Sequence, residues 1–81
     1  MGRASQHLPR NLPPKLRMIR ERRGVSQNEL IRELGLEDTL SQAEVSAFEL
    51  GKRIPPLIVL LKYARLHGVH IDDLVDDDIG F

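Results

Sequence analysis

The 81-residue chain contains no cysteine, which excludes a disulfide framework and a thiolate metal site. It also lacks a long apolar run, because the longest, 57–61, is far too short to cross a bilayer. Arg3, His7 and Arg10 interrupt the N-terminus, which therefore does not resemble a signal peptide. The hydrophobic share of 41% and the charged share of 30% are typical of a globular protein. We therefore expect one small domain that is soluble and cytoplasmic, without a membrane segment.

Net charge is absent as well, since twelve Lys and Arg balance twelve Asp and Glu, but the two signs are unevenly distributed. Residues 1–35 carry eight cations and three acids, a net charge of +5. Residues 36–81 carry four cations and nine acids, a net charge of −5. This asymmetry fits a protein that turns one surface toward phosphates and another away from them. The alternative is a solvated surface whose charge is merely uneven.

Two stretches, 25–30 and 40–45, repeat one short pattern fifteen residues apart. In each, an apolar residue precedes a serine, a glutamate follows the serine by three positions, and a second apolar residue comes next. This pattern is a capping box with a hydrophobic staple, the signature of a helix start. Two capped helices so close together, with Gly35 ending the first, predict a helix-turn-helix, in which the second helix enters a DNA groove.

The remaining proline, glycine and charge signals divide the chain into an arm, five helices and a tail. The predicted segments are a flexible basic arm at 1–11, helix one from Pro13 and Pro14 to Gly24, helix two at 27–34, helix three at about 41–50, helix four from Pro55 and Pro56 to Gly68, helix five at 71–75, and an acidic tail at 76–81 that frays. Ser41 is the preferred cap of helix three, but Thr39 with Gln42 forms a second box that would start the helix two residues earlier. The domain itself is expected to span 12–75.

The spacing of apolar residues predicts which side of each helix faces the core. The inward residues are expected to be Leu12, Leu16 and Ile19 in helix one, Leu30, Ile31 and Leu34 in helix two, and Leu57, Leu60, Leu61 and Ala64 in helix four.

These residues, taken in order, resemble the Cro/repressor-type, or XRE, helix-turn-helix family. The matching positions are Leu16, Ile19, Arg20, Gly24, Val25, Ser26, Gln27, Glu29, Leu30, Leu34, Gly35, Val45, Ser46, Phe48, Glu49, Gly51, Lys52, Arg53, Pro55, Leu57, Leu60, Tyr63, Ala64, Gly68, Val69, Asp72, Asp73 and Leu74. The resemblance spans 12–74 and implies an all-α fold, a compact five-helix lambda-repressor-like domain that binds double-stranded DNA. No cofactor is expected.

The resemblance also assigns roles to individual residues. Gln27 would hold a DNA phosphate at the start of helix two, and Lys52 and Arg53 would contact the sugar-phosphate backbone. The groove-facing positions of the reading helix, which begins at Ser41, are Gln42, Ala43, Glu44, Ser46 and Ala47. Arg20 and Glu49 would pair inside the domain.

The chemistry of the reading-helix side chains limits what each can recognise. The Gln42 amide can bond adenine N6 and N7 together, unless it is simply an exposed polar residue. Ala43 and Ala47 could touch only thymine methyl groups, and Glu44 fits either cytosine N4 or its own capping box. Because this helix has no Lys or Arg, affinity must rest on the cations that follow it and on the basic arm. The arm, with Arg3, either follows a groove or is an untethered tail.

Three departures from the family pattern concern packing. Eight residues separate Leu36 from Val45 where four are usual, so the turn is lengthened. Ile31 stands where alanine is usual, and His67 stands where leucine is usual. We hypothesise that the longer turn accommodates the larger Ile31 side chain.

The function predicted from these features is transcriptional regulation, by repression, as a homodimer on two half-sites about one helical turn apart. The expected dimer surface is helix five with Val69, Ile71, Leu74 and Val75. An enzyme or a metal site is not expected, because the histidines and aspartates of 67–73 come with no pocket and no activated nucleophile. The alternative is a protein-binding module, such as an antitoxin that pairs with a toxin or a phage accessory protein, whose helix-three face docks on another protein.

Overall fold

The computed structural model describes residues 9–80, which form five α-helices joined by turns and contain no strand. The helices are α1 (Leu12–Arg23), α2 (Gln27–Leu34), α3 (Gln42–Glu49), α4 (Leu57–His67) and α5 (Ile71–Val75). The predicted all-α, five-helix architecture is thus confirmed. Across this part of the chain, no helix has the length and apolar character needed to span a membrane. Arg3 and the rest of the predicted arm up to residue 8 lie outside the described residues.

One core, built from all five helices, holds the domain together. Its buried apolar residues are Leu12, Leu16, Ile19, Leu30, Ile31, Leu34, Leu36, Leu40, Val45, Phe48, Val59, Leu60, Tyr63, Ala64 and Leu74. The predicted inward faces of α1 and α2 are confirmed by this set. Since α1 packs on α3, α4 and α5, and α2 packs on α3 and α4, the helix-turn-helix rests on a rigid base.

The lengthened turn between α2 and α3 carries its own helical turn. Gly35 ends α2 with a φ of 73°, a left-handed conformation that glycine adopts without strain. The Leu40 N–H then donates to the Leu36 carbonyl at 2.9 Å, and both leucine side chains are buried beside Ile31. Of the residues in the lengthened stretch 37–44, Leu40 adds its side chain to the core. That the longer turn accommodates Ile31 stays a prediction.

The prediction for the inward face of α4 is wrong at Leu57, which is 70% exposed, and Leu61 is only half-buried and is not part of the core. Pro56 is the residue before the helix rather than its first residue, so α4 begins at Leu57. The buried stripe consists of Val59, Leu60, Tyr63 and Ala64. At about 100° per residue Leu57 shares a side with Leu60 and Ala64, but it is the first residue of the helix and precedes the residues that pack on the core, so its side chain stays exposed.

The acidic segment that was expected to fray is instead docked on α1 as far as residue 80. The Asp77 carboxylate accepts hydrogen bonds from the Arg10 and Asn11 backbone N–H groups at 3.0 and 2.9 Å. It thereby places a negative charge at the N-terminus of α1, where the helix dipole favours one. The Lys15 ammonium donates to the Asp76 carbonyl at 2.9 Å and to the Asp73 carbonyl of α5 at 2.7 Å, and so joins the segment to the first turn of α1.

The surface expected to form the dimer lies largely within the protomer. Leu74 of α5 has no exposed surface, and Val69, Ile71 and Val75 pack against the same core. A five-residue helix must bury most of its apolar side chains to be held at all. Leu74 is therefore not available to a second copy, whereas Val69, Ile71 and Val75 are each half-buried.

Candidate nucleic-acid interface

The start of α3 is fixed by a complete capping box. Ser41 Oγ accepts the Glu44 backbone N–H at 3.2 Å, and Glu44 Oε1 accepts the Ser41 backbone N–H at 3.0 Å. These two bonds satisfy groups that the first helical turn leaves without partners. The structure thus confirms Ser41, and not Thr39, as the cap, and α3 begins at Gln42.

The residues proposed to face DNA lie together on the outer side of α3. Gln42 and Ala43 are exposed, and Ser46 and Ala47 are half-buried. Their spacing places them on one face of the helix, opposite the buried Val45. The structure therefore brings these predicted site residues to one accessible surface.

A chain of hydrogen bonds connects this surface to the interior. Gln42 Nε2 donates to Gln27 Oε1 at 3.4 Å, and Gln27 Nε2 donates to Glu49 Oε1 at 3.3 Å. Both bonds are long and therefore weak. Each glutamine amide can exchange its present partner for a nucleic acid group at small cost.

The interior end of this chain is the Arg20–Glu49 ion pair, which confirms the pairing that the family resemblance implied. Two Arg20 nitrogens donate to the two Glu49 oxygens at 2.7 and 3.0 Å. A third Arg20 nitrogen donates to the Val25 carbonyl at 3.0 Å. The hydrogen bond to Glu49 raises the pKa of Arg20 above its ordinary value, so the guanidinium stays charged. It fixes α1, α3 and the start of α2 relative to one another.

Tyr63 lies beneath the ion pair and is fully buried. Its hydroxyl has no hydrogen-bond partner among the described residues. Burial raises its pKa above the ordinary value, and the nearby Glu49 carboxylate adds to this effect. Tyr63 therefore remains neutral and acts here as a large core side chain.

Glu44 is occupied by contacts within the protein. Its Oε1 accepts the capping bonds from Ser41, and its Oε2 lies 3.7 Å from Arg53 Nη1. The cap therefore uses Oε1, while Oε2, held only in the loose ion pair with Arg53, keeps acceptor capacity. Arg53 and Lys52 follow α3 on an exposed turn, where the two cations are accessible to a polyanion.

A cleft of about 200 Å³ lies between α1, α2 and α3. Its lining residues are Arg17, Arg20, Gln27, Ser46, Glu49 and Leu50. Arg17 is the addition that the sequence did not single out for this site, because helix spacing alone does not show which neighbour α1 faces. Its guanidinium bonds Glu21 Oε2 at 2.9 Å, and both side chains are more than half exposed.

The histidine and aspartate cluster near α5 has a structural use. Asp73 Oδ2 accepts the His70 backbone N–H at 2.9 Å and so caps α5. Between residues 9 and 80 there is no group of three or more His, Asp or Glu side chains suited to holding a metal ion.

Comparison with known proteins agrees with this geometry. The model of the family described as Helix-turn-helix matches residues 16–74, which run from the middle of α1 to α5. Neither the curated proteins nor the solved structures give a significant match. The family match covers most of the chain and both helices of the helix-turn-helix. The chain therefore belongs to the XRE-type helix-turn-helix family of DNA-binding domains.

Proposed function

We propose that this protein binds double-stranded DNA sequence-specifically and acts in the cytoplasm as a transcriptional repressor, with the segment 41–50 lying in the major groove. The observation that carries the proposal is the exposed outer face of α3, held on a rigid base by the Arg20–Glu49 pair. A short capped helix that projects from a packed domain is suited to entering a groove about 12 Å wide.

Base recognition rests mainly on Gln42. Its amide can bond adenine N6 and N7 in place of its weak bond to Gln27, and such a bidentate contact discriminates by about 1–3 kcal/mol. Gln27 then orients the Gln42 amide from the side away from the DNA. The N-terminus of α2, where Gln27 lies, approaches a phosphate. Ala43 and Ala47 offer methyl contacts to thymine, and Ser46 offers a small hydroxyl.

The phosphate contacts come from cations beside the reading helix. Lys52 and Arg53 are exposed immediately after α3, and Arg17 lines the adjoining cleft. Glu44 acts through the cap and through Arg53 rather than through a base. Affinity is therefore mostly electrostatic and depends strongly on salt.

A single copy reads too few base pairs to select a site in a genome. We therefore propose a homodimer on two half-sites about one helical turn apart. Repression follows when such a site overlaps sequences that another protein must reach.

The test is fluorescence anisotropy of labelled random-sequence duplex titrated with protein at several salt concentrations. The double variant Lys52→Ala/Arg53→Ala should reduce the slope of log K against log salt by about 1.8, since each phosphate contact contributes about 0.9. Arg22→Ala is the matched control, because this exposed arginine lines a different cleft, beside His67 on the α5 side. The control should keep the slope of the wild type. Absence of binding at about 50 mM salt and micromolar protein would overturn the proposal.

One observation favours a second candidate, a module that binds protein. The outer face of α3 carries no Lys or Arg, so it could meet the surface of a partner such as a toxin. The same titration separates the two functions, since a protein-binding module would show no salt-dependent affinity for duplex DNA.

A further inference from the structure

The two ends of the described chain meet at the start of α1. Asp77 Oδ2 accepts the Arg10 backbone N–H at 3.0 Å, and Asp77 Oδ1 accepts the Asn11 backbone N–H at 2.9 Å. The Asn11 side-chain amide donates in return to the Asp77 carbonyl at 3.2 Å. Asn11 does not cap α1 with its own side chain, and the first turn of α1 contains no acid. Asp77 therefore supplies from another part of the chain what this helix start lacks locally.

The segment that carries Asp77 is itself held in place. The Lys15 ammonium, on a buried side chain, donates to the Asp73 and Asp76 carbonyls at 2.7 and 2.9 Å. The Ile79 N–H donates to the Asp76 carbonyl at 3.1 Å, which closes a turn around Asp77. The backbone just before α1 is therefore fixed to the domain through Asp77.

Arg10 lies on the side of α1 that faces the candidate nucleic-acid interface. The Asn11 backbone is already in the right-handed helical region, with a φ of −93° and a ψ of −1°, so the helical path continues back toward Arg10. Arg10 precedes Arg17 by seven residues, which make about two helical turns, so the two arginines share a side of the helix about 10 Å apart along its axis. Arg17 lines the cleft that also includes Gln27 and Ser46.

The Arg10 side chain is accessible to a ligand. It is exposed, and it joins no ion pair within the described part of the chain. A guanidinium can bond two phosphate oxygens at once through its planar set of donors. Since the Arg10 backbone is already anchored, less conformational entropy is lost when its side chain binds.

We propose that Arg10 contacts a DNA phosphate and that Asp77 is the residue that positions it for this contact. This inference rests on the proposed DNA-binding function and adds a phosphate contact from the start of α1. A carboxylate near a DNA-binding surface weakens binding by repulsion when it has no other effect. Asp77 instead strengthens binding, because the gain from fixing Arg10 exceeds that repulsion.

Fluorescence anisotropy with labelled duplex tests the proposal through the sign of the effect. If Asp77 were only one acid among several, Asp77→Ala would strengthen binding, because it removes a negative charge. We expect instead that its affinity for duplex falls at least about threefold, and that the slope of log K against log salt falls by about 0.9, the share of one phosphate contact. Arg10→Ala should show the same two changes.

Asp78→Ala is the matched control for Asp77→Ala. Asp78 is an exposed acid in the same turn, and it bonds Asp76 through its backbone N–H, which alanine retains. The control removes the same charge, so its affinity should equal or slightly exceed that of the wild type. Circular dichroism and urea unfolding establish that each variant is folded in the assay. Asp77→Asn, which keeps one acceptor oxygen, replaces Asp77→Ala if that variant does not fold.

A double variant shows whether Asp77 acts through Arg10. In Arg10→Ala/Asp77→Ala, affinity should fall no further than in Arg10→Ala alone. A general loss of structure would instead weaken binding equally in both backgrounds. Hydrogen exchange gives a second readout without DNA, because the Arg10 and Asn11 amides should exchange faster in Asp77→Ala and at the wild-type rate in Asp78→Ala.

The results that would overturn the proposal differ in what they imply for DNA binding. If Asp77→Ala binds as tightly as Asp78→Ala, or if its loss persists in full without the Arg10 side chain, Asp77 does not position Arg10 and the proposed function stands. The same holds if Arg10→Ala keeps the wild-type affinity and slope, or if exchange of the Arg10 and Asn11 amides is unchanged in Asp77→Ala. If the wild type binds no duplex, the proposed function fails and this inference fails with it.

Discussion

Replacing Glu49 by glutamine should destabilise the domain strongly. The Glu49 side chain is 5% exposed and that of Arg20 is 18% exposed, so the carboxylate is largely shielded from water. The Glu49→Gln variant leaves the Arg20 guanidinium without its counter-charge in this setting. Breaking such a pair costs about 3–5 kcal/mol of unfolding free energy. We expect about 3 kcal/mol, because Arg20 keeps its bond to the Val25 carbonyl and some access to water.

This loss is large for a chain of 81 residues, whose total stability should be about 4–12 kcal/mol. At about 4–8 °C per kcal/mol for domains of this size, the melting temperature should fall by about 12–24 °C. Glu49 also accepts a hydrogen bond from the Gln27 amide at 3.3 Å, and replacing the carboxylate by a neutral amide weakens that bond. A folded Glu49→Gln variant should therefore bind duplex DNA less tightly as well.

A double-mutant cycle isolates the pair from other effects of the substitutions. Urea unfolding of Glu49→Gln, Arg20→Gln and the combined variant should give a coupling free energy of about 2 kcal/mol. The exposed Arg17–Glu21 pair is the control, and its cycle should give about 0.3–0.5 kcal/mol. A coupling below about 0.5 kcal/mol between residues 20 and 49 would refute the reasoning.

Four smaller effects follow from the same structure and can be measured by urea unfolding. Ser41→Ala should cost about 1 kcal/mol through loss of the α3 cap, and Ser41→Gly only a few tenths. Gly35→Ala should cost about 1–2 kcal/mol, although the site has open space, because its φ is +73°. Lys15→Met should cost about 1.5–3 kcal/mol, since the ammonium donates two buried hydrogen bonds to carbonyls. Hydrogen bonds from the Ser26 backbone and side chain lower the pKa of Glu29 from its ordinary 4.5. The stability that these bonds provide is present above pH 4.5 and is lost as the pH falls through the lowered pKa. The unfolding free energy of Glu29→Gln should therefore depend less on pH in this acidic range than that of the wild type.

The features that could be predicted from sequence are those whose causes are local. The capping boxes at Ser26 and Ser41 bring serine and glutamate together within one turn, so the starts of α2 and α3 could be located from the residues alone. The Arg20–Glu49 pair joins residues 29 apart, and only the resemblance to a known family indicated it. Gln27, which donates to Glu49, and Gln42, which donates to Gln27, were assigned to the site for the same reason.

The errors concern features that depend on the whole fold. Whether the Leu57 side chain is buried depends on the residue at which α4 begins. Either of the two prolines before it could have been the first residue of the helix, so the sequence did not fix that start. The cap on α1 comes from Asp77, 66 residues away from Asn11, and no local pattern marks such a partner. The place of Leu74 in the core depends on how α1 and α4 pack around α5.

The claim that α3 reads bases through Gln42 is tested most directly by selecting duplexes from a random library with the wild type and with Gln42→Ala. The two proteins should select related sites that are identical except at one or two adjacent positions in each half-site, where the wild type prefers adenine and the variant has no preference. Selection of the same site by both proteins, with adenine still preferred at those positions, would contradict the account.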